Sequence, residues 1–174
     1  MFKSFFPPHI YQENKIYFLT AHTFDKENIL IGDNHKRIFC EVLSGCLKEF
    51  GARILGWTIN INHYHLLLYF KDKNIKNFVQ KLHGKTSYLF NKFDGLRGRR
   101  VWVNYWDRCV HSERDFYIRL NYIHHNCIKH GYTEKMDDYK WSSYSQYVKK
   151  YGEEWICDCF EHYSIKDFTS EDPG

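Results

Sequence analysis

Two histidines separated by a single residue, His63 and His65, lie in a segment rich in β-forming residues. Because side chains alternate between the two faces of a strand, both imidazoles are expected to point to the same face. Two imidazoles fixed side by side, with an apolar run after them that anchors the strand, provide half of a metal site. The alternative interpretation is that both are polar residues on the solvated face of an edge strand.

A second group of polar residues lies further along the chain, in a segment with helical periodicity. Its buried stripe is predicted to consist of Phe116, Leu120, Ile123 and Cys127. Tyr122 and Asn126 lie one above the other on a neighbouring face, and Arg119 precedes them by one turn on the same side. The alternative interpretation is a partly exposed tyrosine at a boundary between helix and sheet.

The two groups together suggest chemistry on a phosphodiester, whose negative charge repels nucleophiles. A divalent cation held by His63 and His65 would polarise the phosphoryl oxygens and stabilise the transition-state charge. Asn126 offers an oxygen as a third ligand, which suits magnesium or manganese better than zinc, and imidazole ligands favour manganese of these two. Tyr122 would be the nucleophile and form a covalent phosphotyrosine, which conserves the energy of the broken bond for rejoining.

The composition is that of a folded protein, with 174 residues of which 43% are hydrophobic and 19% aromatic. We predict one domain, residues 1–174, with a core at about 16–148 and a C-terminal tail at 149–174. Without a long apolar run or the apolar core of a signal peptide, the sequence predicts a cytoplasmic protein with no membrane partner. The 6 cysteines form no C-x-x-C pair, which gives little support to a structural zinc site and fits reduced thiols.

The net charge is only +4, but basic and aromatic residues are concentrated in the middle of the chain. Cations neutralise phosphates and aromatic faces stack on unpaired bases, so this mixture suits single-stranded or structured nucleic acid. The residues that we predict to bind DNA are Lys81, Lys85, Arg97, Arg99, Arg100, Tyr105, Arg108 and Arg119. The alternative interpretation is a solvated basic surface.

The order of predicted elements is βαββαβ followed by a helix. We predict strands at 16–24, 53–59, 63–70 and 101–110, and helices at 33–50, 74–93 and 113–130, with a short helix opening near Trp141. Asp33 and Ser112 are the predicted N-caps, and Gly51 and Gly131 the predicted stops. This order predicts an α+β fold, the ferredoxin-like split β-α-β arrangement, with helices on one face of an antiparallel sheet and an additional C-terminal catalytic helix.

Three motifs in this order resemble the HUH-type single-tyrosine transposases of the insertion-sequence-200 type, and most of all the REP-associated tyrosine transposases. They are Asn62-His63-Tyr64-His65, Tyr122-Ile123-His124-His125-Asn126-Cys127 and Trp141-Ser142-Ser143-Tyr144. Three positions depart from the family pattern. Tyr64 stands for an aliphatic residue, Cys127 stands for a proline and so allows the helix to run on past Asn126, and Asn60-Ile61 stands for Met-Pro.

The resemblance implies cleavage of single-stranded DNA near a hairpin, which leaves a 5′-phosphotyrosine and a free 3′-hydroxyl, followed by strand transfer. It implies His63 and His65 as ligands of Mg²⁺ or Mn²⁺, Asn126 on or near the metal, Tyr122 as the nucleophile, and a possible homodimer. His124 and His125, which flank the nucleophile, are expected mainly at the surface.

Two other functions stay open from the sequence. One is a retired transposase domain that binds hairpin or single-stranded DNA without cutting it. The other is a zinc hydrolase built on the His-x-His pair, which lacks an evident acidic base because Asp72 lies beyond the strand.

Overall fold

A four-stranded antiparallel sheet forms the centre of the computed structural model, which describes residues 12–168. The strands are β1 (Lys15–Thr23), β2 (Arg53–Ile59), β3 (His63–Phe70) and β4 (Trp102–Cys109). Their order across the sheet is β2-β3-β1-β4, and all neighbours are antiparallel. This is the split β-α-β topology, so the prediction of a ferredoxin-like α+β fold is confirmed.

Helices cover both faces of the sheet. They are α1 (Asp33–Glu49), α2 (Ile75–Phe93), α3 (Glu113–Lys129), α4 (Tyr144–Tyr151) and α5 (Glu153–His162). The main core lies between the sheet and the pair α1 and α2, as predicted, and the additional helix α3 packs on the opposite face. None of the helices within residues 12–168 has the length and hydropathy that a bilayer-spanning segment needs.

The strand register places polar residues of two central strands together. Leu19 and Ala21 of β1 face the α1–α2 core, whereas Phe18 packs with α3 on the other face. Because side chains alternate, Thr20 and His22 share the face of Phe18, which we call the α3 face. The register pairs Thr20 with His65 and His22 with His63. The α3 face of the two central strands therefore carries three histidines and a threonine.

Local signals fix the position of α3. The Ser112 hydroxyl accepts a hydrogen bond from the Asp115 amide at 3.0 Å, as predicted for an N-cap, and Gly131 follows the helix at φ +67°. On β2, a Cβ at Gly56 would lie 2.8 Å from the Leu120 side chain, so α3 approaches the sheet where a side chain is missing. The helix continues to Lys129 because Cys127 keeps the amide that a proline would lack.

The predicted N-cap role of Asp33 is wrong. Gly32 occupies the cap position of α1, and Asp33 is the first residue of the helix. Its carboxylate instead accepts hydrogen bonds from the Lys140 ammonium at 2.5 Å and the Trp141 indole at 2.9 Å. The Asp33 carboxylate therefore makes a tertiary contact with Lys140 and Trp141 in place of the predicted helix cap, and this contact could not be predicted from local sequence.

The Trp141-Ser142-Ser143 segment covers the outer edge of β2. The Ile59 amide donates to the Trp141 carbonyl at 2.9 Å, and the Ser143 amide donates to the Trp57 carbonyl at 2.8 Å. This pairing satisfies backbone groups that an edge strand would otherwise leave open.

The segment predicted as a tail contains the end of α4 and all of α5. The Asn121 side-chain amide donates to the carbonyls of Cys159 and Tyr163, at 2.9 and 2.8 Å, and so ties the end of α5 to α3. The predicted fraying of residues 169–174 concerns residues outside the described range.

Candidate active site

The two histidines of the His-x-His motif lie side by side on the α3 face of β3. Their ring centroids are 5.0 Å apart, and each side chain is only 3% exposed. Because β3 is a central strand covered by α3, the alternative of two polar residues on a solvated edge strand is excluded. Burial of two imidazoles is costly unless each ring nitrogen has a partner. The partners of the four ring nitrogens therefore indicate the role of the pair.

His65 presents one ring nitrogen without a partner. Its Nδ1 lies 2.7 Å from the Thr20 hydroxyl, whereas its Nε2 is buried and has no hydrogen-bond partner among residues 12–168. Burial lowers the pKa of His65 well below its ordinary value, with neighbouring His63 acting in the same direction, so the ring is neutral. When Nδ1–H donates to Thr20, Nε2 carries a lone pair, which is the state of a metal ligand.

His63 is held in the tautomer that leaves Nε2 as an acceptor. Its Nδ1 lies 2.8 Å from the Asn62 side-chain oxygen, which can only accept, so Nδ1 carries the hydrogen. Burial, followed by the nearby His22 and His130, lowers the pKa of His63 to about 3. The neutral ring accepts a hydrogen bond from the Asn60 amide nitrogen at 2.7 Å.

Asn126 completes this buried polar group from the side of α3. The residue has no exposed surface, and its Oδ1 accepts a hydrogen bond from the same Asn60 nitrogen at 2.5 Å. His63 Nε2 and Asn126 Oδ1 therefore both accept from the N–H₂ group of Asn60. The predicted ligands His63, His65 and Asn126 are thus brought together, although no sequence spacing connects them.

Tyr122 lies one turn before Asn126 on α3, at the half-buried border of this group. Its ring meets the His65 ring edge-on, with centroids 5.3 Å apart. The phenolic oxygen accepts a hydrogen bond from the Lys129 ammonium at 2.9 Å. The other side of the ring stacks on Phe168 at 3.9 Å between centroids. The structure therefore puts the predicted nucleophile next to the predicted ligand pair within one chain.

The donor set fits a divalent cation with mixed nitrogen and oxygen ligands. No group of three or more His, Cys, Asp or Glu side chains within residues 12–168 is arranged to hold a metal ion. A cation here would depend on the lone pairs of His63 and His65 and on the amide oxygen of Asn126, as predicted for manganese or magnesium. The buried, unpartnered Nε2 of His65 fits such a ligand. The described residues do not supply the three-ligand set of a usual zinc hydrolase.

The predicted DNA-binding residues are divided between the two faces of the sheet. In β4, Arg108 pairs with Phe18 and so lies on the α3 face, on the side of Tyr122. Tyr105 pairs with Ala21 and faces the other way, where Lys81 and Lys85 of α2 also lie. The sheet separates these residues from Tyr122. A DNA strand bound at the active site would therefore contact Arg108 but not all of the predicted DNA-binding residues.

The three arginines of the loop after α2 differ in their surroundings. Arg97 is exposed, and Arg100 lies over the Phe24 ring at 4.8 Å. Arg99 forms an ion pair with Asp94 at 2.6 Å and donates to the Asn91 side chain. Arg97 and Arg100 therefore have more freedom than Arg99 to meet a phosphate.

Arg119 has a different environment from the one that we predicted. It is 3% exposed, its Nε donates to Asp115 at 2.8 Å, and its guanidinium lies over the Phe18 ring at 5.0 Å. A guanidinium buried in this way is not available to a DNA phosphate. Its contact with Phe18 instead joins α3 to β1. Arg119 therefore positions the helix, and the prediction that it binds DNA is wrong.

His124 is also misplaced by the prediction, which put it at the surface. It is 1% exposed, and its Nε2 lies 3.0 Å from the Ser143 hydroxyl, which also accepts a hydrogen bond from the Trp57 amide. Burial lowers the pKa of His124 to about 3. The residue therefore links α3 to the segment along β2, while His125 remains partly exposed.

Several site residues were not found from the sequence. They are Thr20, His22, Asn60, Lys129, His130 and Phe168. The rings of His22 and His130 lie 4.9 and 4.8 Å from that of His63. Thr20 and His22 repeat the one-residue spacing of the histidine pair, which is a usable signal. Its meaning depends on the pairing of β1 with β3, which the spacing alone does not reveal.

Comparisons with known proteins show what this chain is similar to. A Haemophilus influenzae protein named as a REP-associated tyrosine transposase is 28% identical over 153 residues, which cover 80% of this chain and 86% of that protein. The solved structure of a REP-associated tyrosine transposase bound to a REP hairpin has a TM-score of 0.73 at 16% identity, and covers 83% of this chain and 85% of its own. At that identity the likeness shows the fold.

The sequence model of one family spans both parts of the site. It is described as "Transposase IS200 like" and matches residues 12–126, from before β1 to the last of the predicted ligands, Asn126. The match includes the strand of His63 and His65 and the helix of Tyr122. With this span, the chain belongs to the IS200-like transposase family.

Proposed function

We propose that this transposase cleaves and rejoins single-stranded or hairpin DNA through a covalent 5′-phosphotyrosine at Tyr122, with Mn²⁺ or Mg²⁺ as its cofactor. One observation carries the proposal: α3 holds the Tyr122 ring edge-on to the His65 ring at 5.3 Å, beside His63 and Asn126. A phenol next to two neutral imidazoles, each with a lone pair on Nε2, combines a nucleophile with a ligand set.

The proposed reaction is a transesterification at phosphorus. The Tyr122 oxygen forms a bond to the phosphorus, the bond from phosphorus to the 3′-oxygen breaks, and the 5′-phosphate stays on the tyrosine. The phenol releases one proton and the leaving 3′-oxygen takes up one. The number of phosphoester bonds is unchanged, so the released 3′-hydroxyl, or that of another strand, can reverse the step and rejoin DNA.

The chain's own residues would divide the work. His63, His65 and Asn126 would hold the cation, which when bound would neutralise charge on the phosphoryl oxygens. The Thr20 and Asn62 contacts keep the two imidazoles in the tautomers and orientations of ligands. Lys129, which donates to the Tyr122 oxygen at 2.9 Å, would stabilise negative charge there as the proton leaves.

A DNA hairpin is the substrate that we infer. The solved structure that this chain resembles in fold is described as bound to a REP hairpin. On the α3 face of this chain, Arg108 is exposed and Trp106 packs edge-on to His22 at 6.0 Å. A guanidinium and an indole beside the histidines suit a phosphate and an unpaired base next to a hairpin stem. One chain brings Tyr122 to the histidines, so the proposed cleavage does not depend on the predicted homodimer.

Covalent capture tests this function. The purified chain, freed of metal and then supplied with Mn²⁺, is incubated with a labelled hairpin that carries a single-stranded flank. We expect a protein–DNA adduct that survives denaturing electrophoresis, disappears with a chelator and returns with added Mn²⁺. Binding of the hairpin without any adduct would contradict the proposal and identify a retired DNA-binding domain.

The loop arginines provide a prediction about affinity. Replacing Arg97, Arg99 and Arg100 together with alanine is expected to weaken binding to every single-stranded sequence. Log affinity falls as log salt rises, and each arginine–phosphate pair adds about 0.7 to the steepness of this fall. Removing three pairs is therefore expected to make the fall less steep by about 2. Because Arg99 is paired with Asp94, a smaller change points to Arg97 and Arg100 as the residues that bind phosphate.

A salt titration of hairpin binding measures this slope. The control is Arg37→Ala, which removes one exposed arginine from α1. An unchanged slope in the triple variant would show that the loop is only a solvated surface, and tighter binding to blunt duplex than to the hairpin would contradict the substrate that we infer.

A further inference from the structure

Asn60 occupies a position that the sequence marks only as a departure from the resembled family, which has methionine there. Its backbone amide donates to the His63 carbonyl at 2.8 Å and closes the hairpin between β2 and β3. Its side chain has no exposed surface and lies between β3 and α3. A buried amide is costly unless both of its ends are used, so its contacts are informative.

Only one end of the Asn60 amide is used. Its nitrogen donates both to His63 Nε2, at 2.7 Å, and to Asn126 Oδ1, at 2.5 Å. Its oxygen is buried and has no hydrogen-bond partner within residues 12–168, and the same holds for His65 Nε2 and the Asn126 amide nitrogen. The residues of the predicted ligand group thus carry three buried polar atoms without a partner, and the Asn60 nitrogen serves two of the predicted ligands.

The N–H₂ group of Asn60 reduces the repulsion between two neighbouring acceptors, as a bound cation would. Two acceptors, His63 Nε2 and Asn126 Oδ1, point at its partial positive charge. A half-turn of the amide exchanges its nitrogen for its oxygen. With the oxygen turned inward, the site would present acceptors from His63, Asn126 and Asn60, which repel one another unless a positive ion lies between them.

We propose that Asn60 is a further ligand of the divalent-cation site. In the metal-free chain its nitrogen holds His63 and Asn126 in place, and on binding the amide turns so that its oxygen joins His63, His65 and Asn126. This inference rests on the proposed function, because it assumes that the histidine pair binds a cation. A second amide oxygen adds a hard donor, which favours Mn²⁺ and Mg²⁺ over softer ions.

Calorimetric titration of the metal-free protein with Mn²⁺ tests the inference without any DNA. We expect Asn60→Leu to weaken Mn²⁺ binding at least tenfold, because a ligand is removed. Asn60→Asp keeps the shape of the side chain and adds a negative charge, so it is expected to tighten binding about tenfold. The same Asn→Leu change at Asn77, which is exposed on α2, serves as the matched control and is expected to leave the affinity unchanged.

The opposite role gives opposite results. If Asn60 only competes with the cation for His63 and Asn126, its removal in Asn60→Leu would tighten Mn²⁺ binding, and this would overturn the inference. Equal affinities in the wild type and both variants would overturn it as well. If Asn60→Leu does not fold, the smaller Asn60→Ala is measured in its place. Weaker Mn²⁺ binding than in the wild type supports the inference, and equal or tighter binding overturns it.

The wild-type titration separates this inference from the proposed function. No Mn²⁺ binding by the wild type would overturn both. Binding by the wild type with unchanged affinities in the Asn60 variants would overturn the role of Asn60 and leave the proposed function standing. A second readout is thermal stability, where saturating Mn²⁺ is expected to raise the melting temperature of the wild type more than that of Asn60→Leu.

Discussion

Replacing Tyr122 with phenylalanine is expected to abolish the covalent protein–DNA adduct while hairpin binding stays within about twofold of the wild type. The change removes only the hydroxyl that would attack phosphorus, and removal of a nucleophile typically costs about a thousandfold or more in rate. The ring contacts with His65 and Phe168 do not need the hydroxyl, so the helix and the histidine pair should keep their positions. Only the hydrogen bond from Lys129 is removed.

The measurement is adduct formation on a labelled hairpin with Mn²⁺, together with binding by fluorescence anisotropy. Tyr117→Phe is the matched control because Tyr117 also lies on α3, but its ring stacks on Tyr163, away from the histidines. We expect the control to form adduct at the wild-type rate. Adduct at that rate from the Tyr122 variant would assign the nucleophile to another tyrosine.

Replacing His63 or His65 with alanine is expected to weaken Mn²⁺ binding by about 10-fold to 100-fold and to stop cleavage, with a much smaller effect on DNA binding. Each imidazole offers one nitrogen toward the shared site, and the remaining ligands cannot complete the set without it. The effect should be clearest for His65, whose Nε2 has no other partner within the described part of the chain.

Calorimetry with Mn²⁺ measures the affinity, and anisotropy with a labelled hairpin measures DNA binding in the same preparations. His125→Ala is the control, since His125 is a histidine on α3 that remains partly exposed, whereas His63 and His65 are buried. Equal Mn²⁺ affinity in wild type, His63→Ala and His65→Ala would mean that the pair is not a ligand set.

Local patterns in the sequence were enough to define the elements that carry the site. The bounds predicted for β2 and β3 agree with the structure, and the Ser112 cap and the Gly131 stop of α3 are confirmed. Each of these depends on residues a few positions apart: alternation in a strand, a capping hydroxyl, a glycine at positive φ. For the same reason, the shared face of His63 and His65 and the shared line of Tyr122 and Asn126 could be predicted.

Residues whose surroundings come from distant parts of the chain were the ones that could not be predicted. Arg119 and His124 look like surface residues on a helix, but α3 lies against the sheet on one side and the Ser143 segment on another, which buries both. Likewise, the basic segment looks continuous along the chain, whereas alternation in β4 sends Arg108 and Tyr105 to opposite faces of the sheet.

The sequence by itself determined the four strands, the helices α1 to α3, the histidine pair and the helical line of Tyr122, because each follows from the period of a strand or a helix. The tertiary structure alone decided which of these groups meet. The pairing of β1 with β3 brings Thr20 to His65, and the packing of α3 on β3 brings Asn126 to Asn60. Such contacts depend on strand register and on helix docking, which are set by the burial of whole faces and not by any local spacing.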